Sequence, residues 1–234
     1  MEQVEPLFDR NVECIHCKHK FTSKKIRSRF IKVLEYDTDF YPRYANPEIN
    51  SLFYNILVCP SCGFSFTDEF NKYFAPGTRE LIEENITAKW GSHNFGGTRT
   101  IYDAIKAYKL ASYSATLKKE KHVTIAGIYL RIAWLYRELG DDSQEIRFLK
   151  LALHQYENSY STDDFKGTQM SDVRLLYLAG EISRRVADHS AAAKYFSKVI
   201  EKQKQTVETK LVQMAKEQWQ LIRQAKKDES HQAG

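Results

Sequence analysis

The sequence predicts an α+β protein: a small β module holding all the cysteines over residues 1–76, then an all-α helical domain over 77–234 with a capping final helix. Three observations predict it. All four cysteines fall in the first 62 residues, as Cys14-x-x-Cys17 and Cys59-x-x-Cys62. The same stretch holds β-branched and aromatic runs broken by turn residues. Beyond Ala75-Pro76-Gly77 there is no proline, and apolar residues recur at helical spacing.

In the first part, Arg27 to Tyr36 and Leu52 to Val58 read as strands, the second with Leu52, Tyr54, Ile56 and Val58 on one face. Asp37 to Asn50, interrupted by Pro42 and Pro47, reads as an ordered loop, and Thr67 to Phe74 as a connecting helix. Helix starts follow from capping residues. Thr78 caps a helix to Trp90, and another runs to about Thr116 after the Ser92–Thr98 loop. Further helices span His122 to Leu139, Asp142 or Ser143 to about Tyr156, Ser171 to Val186, Asp188 to about Lys202, and roughly 206–227. The tail from Asp228 is expected to fray.

Composition bounds the class. Apolar residues are 42% and charged residues 28%, which excludes collagen-like and wholly disordered chains. No run approaches the ~18 consecutive apolar residues of a membrane span. Met1-Glu2-Gln3-Val4-Glu5-Pro6 carries acids where a secretory signal has positive charge, so a cytoplasmic location is expected.

In a reducing compartment, paired Cys-x-x-Cys motifs favour metal over disulfides. Two turns can each present two thiolates at ~2.3 Å from one tetrahedral zinc ion. Pro60 fixes one turn angle, and Gly63 can adopt the positive φ that turns amides toward the sulfurs. Cys14, Cys17, Cys59 and Cys62 are therefore expected to hold one structural Zn2+, leaving no open position for catalysis. A redox pair would need its first cysteine at a helix amino terminus, which neither motif has. His16 and His19 are expected beside the metal or in solvent.

The net charge of +5 is mild, but residues 18–32 contain seven cations and no acid. Lys24, Lys25, Arg27 and Arg29 are thus candidate phosphate contacts. The ten bases and ten acids of residues 1–76 cancel, so a solvated strand face is the preferred reading. Asp37 and Asp39 are expected to pair with that basic run, and the neighbouring aromatics to fill a core short of aliphatic mass.

Cys-x-x-Cys, a Tyr-Asp-x-Asp-Phe loop, Asn46-Pro47 and a strand entering Val58-Cys59-Pro60-Ser61-Cys62-Gly63-Phe64 resemble the bacterial family known as domain of unknown function 2225. The resemblance implies a zinc-ribbon-like start and a helical tail, and supplies no chemistry. The helices resemble tetratricopeptide repeats. Tyr129, Ile132, Ala133, Tyr136, Leu139 and Gly140, then Leu149 and Ala152, match one unit; Leu176, Ala179, Gly180 and Val186, then Ala192, Phe196 and Val199, match another. Glu145 and Ser183 depart from the pattern. Ala104, Tyr108 and Ala111 suggest an earlier degenerate unit, and Glu157 to Met170 reads as an inserted loop.

Such repeats expose first-helix positions in a concave groove. Here these are Leu130, Arg131, Trp134 and Arg137, then Arg174, Tyr177, Glu181, Arg184 and Arg185. Arginine and aromatic residues suit an acidic peptide, because guanidinium forks carboxylates and rings anchor neighbours. Gly96-Gly97-Thr98-Arg99 lacks the phosphate-loop pattern, and no nucleophile, metalloprotease or paired-carboxylate motif is present. The expected function is a non-enzymatic cytoplasmic adaptor binding a protein or peptide. A nucleic-acid-binding regulator is the alternative, and a redox or metal sensor a third.

Overall fold

The computed structural model describes residues 4–232, with side chains to residue 225. Its front part contains three two-stranded antiparallel sheets. β1 (Leu7–Glu13) pairs with β2 (Lys20–Ile26), β3 (Val33–Tyr36) with β4 (Pro42–Tyr44), and β5 (Leu57–Val58) with β6 (Ser65–Phe66). In the first hairpin Leu7 faces Ile26 and Glu13 faces Lys20, so charged residues pair across its outer face. Among the described residues seven α-helices follow: α1 (Thr78–Asn85), α2 (Ile101–Lys118), α3 (His122–Glu138), α4 (Asp142–Thr162), α5 (Asp172–Arg185), α6 (His189–Glu201) and α7 (Thr209–Gln232). The architecture is α+β, as the sequence predicts.

Helix ends follow local chemistry. Thr100 and Asp103 close a reciprocal capping box on α2. Ser171 and Asp188 accept amides at the starts of α5 and α6, as expected. For α4 the cap is Asp141, one residue before the expected pair. Gly140 supplies the left-handed turn after α3. Successive helices pack against one another from α2 to α7. At Gly180 an added Cβ would lie 2.8 Å from the Phe196 ring, so α5 and α6 meet at that glycine.

One apolar core runs from Val12, Ile56 and Phe64 through Ile82 and Ala107 to Leu135, Leu149 and Ile182. A second cluster of Val173, Leu176, Phe196, Val212 and Ala215 joins α5, α6 and α7. The front sheets are too small to bury such side chains alone, and the helices supply the missing surface. The loop before α2 also joins the hairpin: Lys24 donates its amide to the Gly96 carbonyl, and a Cβ on Gly96 would meet the Thr22 carbonyl at 2.5 Å.

Several expected elements differ. The hairpin strands Leu7–Glu13 and Lys20–Ile26 lie outside the two strands the sequence suggested. The stretch from Arg27 to Tyr36 breaks into a 3-10 turn at Ser28–Phe30 and β3, with a bulge between Val33 and Glu35. Leu52 to Val58 begins as a 3-10 turn over Ser51–Tyr54, because Asn50 caps the Leu52 amide; Ile56, Leu57 and Val58 are all buried, with no alternation. The Asp37–Asn50 loop contains β4. Thr67 to Phe74 forms turns rather than a helix, pinned where Lys118 donates to the Tyr73 carbonyl and to Glu120.

Thr78 begins α1 but donates its hydroxyl to the Ala75 carbonyl, and the helix ends at Asn85, before a 3-10 turn. Helix α4 extends to Thr162, so the first six residues of the inserted segment are helical and the rest form turns. Helix α7 continues through Gln232 where fraying was expected, while Met1–Gln3, Ala233 and Gly234 lie outside the described residues.

Candidate metal centre and the helical groove

Each Cys-x-x-Cys forms the tip of a hairpin. Between β1 and β2, the Cys14 amide donates to the His19 carbonyl and the Lys18 amide to the Cys14 carbonyl. Between β5 and β6, the Cys59 amide donates to Phe64 and the Gly63 amide to Cys59 in the same pattern. Lys18 and Gly63, each following the second cysteine of its pair, both have positive φ, 66° and 72°. The two knuckles therefore share one backbone geometry built from unlike residues.

The knuckles converge from segments more than forty residues apart. All four sulfurs lie within 4.8 Å of one another, with Cys14 Sγ 3.8 Å from Cys62 Sγ and Cys17 Sγ 3.6 Å from Cys59 Sγ. Sulfurs at ~2.3 Å from a central ion stand about 3.8 Å apart in a tetrahedron, so this is metal-binding spacing. A disulfide needs about 2.05 Å, and all four cysteines are free. Hydrogen bonds from Cys14 and Cys62 pull the Cys59 thiol far down, while the same contacts hold Cys14 and Cys62 up. So crowded a set cannot carry four thiolates without a cation at its centre.

Aromatic residues flank the cluster, in which Cys14, Cys59 and Cys62 are buried and Cys17 is exposed. Trp90 donates its indole N–H to the Pro60 carbonyl, and its ring lies over Gly63, where an added Cβ would sit 2.5 Å away. His16 packs between Phe64 and Phe74 with Nε2 3.4 Å from Glu83, and His19 stacks on Phe21. Neither histidine joins the sulfur set.

The expected groove residues are on α3 and α5, but the chain itself covers them. Trp134 and Tyr177 are buried, Arg131, Arg137, Arg184 and Arg185 are half-buried, and only Arg174 stays exposed. The acidic loop between β3 and β4 covers Trp134, Arg137, Tyr177 and Arg185. The carboxylate of Asp39, fully buried, receives Arg137 Nη2 at 2.7 Å and the Trp134 indole N–H at 2.9 Å, with Arg185 Nε at 3.6 Å. Asp37 sits 2.9 Å from Arg185 and 3.3 Å from Arg137. Thr38 donates its hydroxyl to Glu181 and accepts the Tyr177 hydroxyl on its carbonyl. Phe40 packs on Tyr177, and Tyr41 packs on Trp134 while donating to Glu138.

The acids thus pair with helical arginines rather than with the Lys18–Lys32 run. That run has nearer partners or solvent. Lys24 on β2 pairs with Asp9 across the hairpin at 2.9 Å, Arg27 lies over Phe8, Arg29 lies over Phe30, and Lys25 is exposed. Arg131 turns to the Gly127 carbonyl and Glu69, and Arg184 to Glu181. Sequence reasoning placed Glu181 on the exposed groove face and Glu145 only as a departure from the repeat pattern, and it missed Glu138 and Asn50; these four polar residues complete the interface. Periodicity marks a helical face and is silent on which distant loop will occupy it.

Fold and site together define a class: a four-cysteine, two-knuckle module clamped onto a stack of helical hairpins. The chain belongs to the family described as an uncharacterized protein conserved in bacteria (DUF2225), which it matches over residues 7–222. No curated protein and no solved structure matches it.

Two predictions follow from these contacts. Lys18→Gly relieves a strained backbone and raises stability by about 1 kcal/mol, whereas Gly63→Ala loses about 2 kcal/mol or more against Trp90. Denaturant unfolding checks both, and equal effects would contradict the shared geometry. For Asp37, burial raises the pKa, but the Thr38 amide and then Arg185 and Arg137 outweigh it, so the net value lies below the ordinary carboxylate range. A depressed folded pKa stabilises above the unfolded pKa and is lost as pH falls through the folded value. Asp37→Asn therefore costs about 0.5–1 kcal/mol near pH 7, discounted for its solvent contact. The difference from the unmodified chain closes as pH is lowered toward 3.

Proposed function

We propose that the protein is a non-enzymatic cytoplasmic adaptor, in which one structural zinc ion orders the front module and tetratricopeptide-like helices bind a protein or peptide. Four thiolates satisfy tetrahedral zinc and leave no position for substrate or water, which favours a structural role. Elemental analysis of anaerobically purified protein is expected to give one zinc per chain, lost in Cys59→Ser; stoichiometric iron or no metal would overturn the zinc reading.

The observation that carries the binding role is the occupant of the groove. Arg137, Arg185 and Trp134 meet two carboxylates, while Tyr177 and Trp134 meet the flanking rings of Phe40 and Tyr41. A partner of the same chemistry, with acids beside aromatics, is the ligand this surface suits. Such a partner competes with the tethered Asp37–Tyr41 segment, whose effective concentration is high. The nucleic-acid alternative has weaker support, since Lys24 is already paired with Asp9.

A labelled peptide copying residues 35–41 tests the reading with the zinc-loaded full chain. The Asp37→Asn/Asp39→Asn variant is expected to bind it with a Kd on the order of 10 μM, at least tenfold tighter than the unmodified protein does. A peptide with both aspartates replaced by asparagine should not bind. If the acidic peptide binds the folded variant no better than the neutral one, the groove is not a recognition surface.

A further inference from the structure

A second site lies where the body of the first hairpin, away from its cysteine-bearing turn, meets α2 and α3. There the front module and the helices enclose a cleft of about 410 Å³. Arg10, Lys24, Lys25 and Arg131 line it, against two lining acids, Asp68 and Glu69. Arg10 and Asp68 neutralise each other through paired contacts of 2.7 and 2.9 Å. Lys24 pairs with Asp9 at 2.9 Å and Arg131 stands 3.7 Å from Glu69, a looser pairing, while among the described residues Lys25 has no acid within ion-pair distance, with Asp68 near enough to feel its charge. The cleft therefore keeps a positive excess.

Its wall is apolar and aromatic, with Ile26, Ile128, Tyr54 and Tyr108. Tyr108 is 1% exposed, and its hydroxyl makes no hydrogen bond of ordinary geometry, although the Asn55 side chain is near it. Burial pushes this phenol up to about 12, so the hydroxyl keeps its proton and remains a donor. Behind Tyr54 sits Arg99, buried and spent on the carbonyls of Phe95, Phe53 and Ile56, with its second terminal nitrogen unpaired. An unsatisfied buried hydroxyl costs about 1–3 kcal/mol, an expense that a bound acceptor offsets.

We propose that this cleft binds a small organic anion, a phosphate or carboxylate on an apolar or aromatic body. The anionic group meets Lys25 and Arg131, the body lies along Tyr54 and Ile128, and the Tyr108 hydroxyl donates to the ligand. The volume suits a small molecule, at the lower end of the range for ligand sites. The site is independent of the groove on α3 and α5, so either proposal can fail alone.

The test uses the full zinc-loaded chain, with phenyl phosphate, phenylacetate and neutral phenethyl alcohol titrated in separate amide NMR experiments. Both anions are expected to shift the amides of Lys24 to Ile26 and of Tyr54 and Asn55, and the alcohol is not. Tighter binding by the phosphate ester assigns a phosphorylated ligand, and the reverse assigns a carboxylate. Lys25→Glu, at an exposed position, should weaken the anions about tenfold. Tyr108→Phe should weaken them severalfold while leaving the melting temperature of the free protein unchanged or raised, because it removes an unsatisfied buried hydroxyl. Equal binding of the alcohol, no shift with any probe at 10 mM (about the weakest affinity a fragment test resolves), or shifts confined to other surfaces would overturn the site.

Discussion

The carboxylate of Asp39 joins the two halves of this molecule. It is wholly removed from water and held by Arg137 and Trp134, with Arg185 close by. An ionised carboxylate in such a place is stable only when its charge and lone pairs are met. Everything that brings it there is consequently constrained: the turn at Asp37, the left-handed backbone of Phe40 at φ 68°, and the rings that pack beside it. Breaking one partner leaves the others buried and uncompensated, so the interface behaves as a unit.

The sulfur cluster constrains the other end of the same front module. It joins the first hairpin to the last, and the β3–β4 loop lies on the chain between them. Holding the two hairpins together limits where that loop can reach, and the groove on α3 and α5 receives it. The metal-binding tip and the acidic loop are coupled through covalent connection and a shared core, in which Phe64 and Ile56 continue into the helices. Small sheets without a core of their own gain order from both attachments.

The general architecture was legible in the sequence. The spacing of Cys14, Cys17, Cys59 and Cys62 encodes their meeting, because two short-loop pairs are a recurrent solution to four-sulfur coordination. The starts of α5 and α6 were legible through side-chain caps, which act over three residues. The first hairpin was not, since its polar strands alternate charged and uncharged residues on a largely exposed face, and apolar periodicity has little to mark. The Leu52–Val58 segment misled because its apolar run is buried on all sides and begins in a 3-10 turn. For the groove, residue type and spacing singled out the arginines and aromatics, and the chain's own acidic loop lies on Trp134, Arg137, Tyr177 and Arg185. Long-range pairing of Asp39 with Arg137, 98 residues away, leaves no local signature.

A double-mutant cycle on Asp39 and Arg137 interrogates this clamp most directly. Asp39→Asn, Arg137→Gln and the double variant are compared by urea unfolding of the metal-loaded chain. A coupling energy of about 2 kcal/mol, with the double variant less damaged than the sum of the singles, is the result expected for a buried charge pair. Additivity within about 0.5 kcal/mol would show that the two halves are held together by something other than this carboxylate.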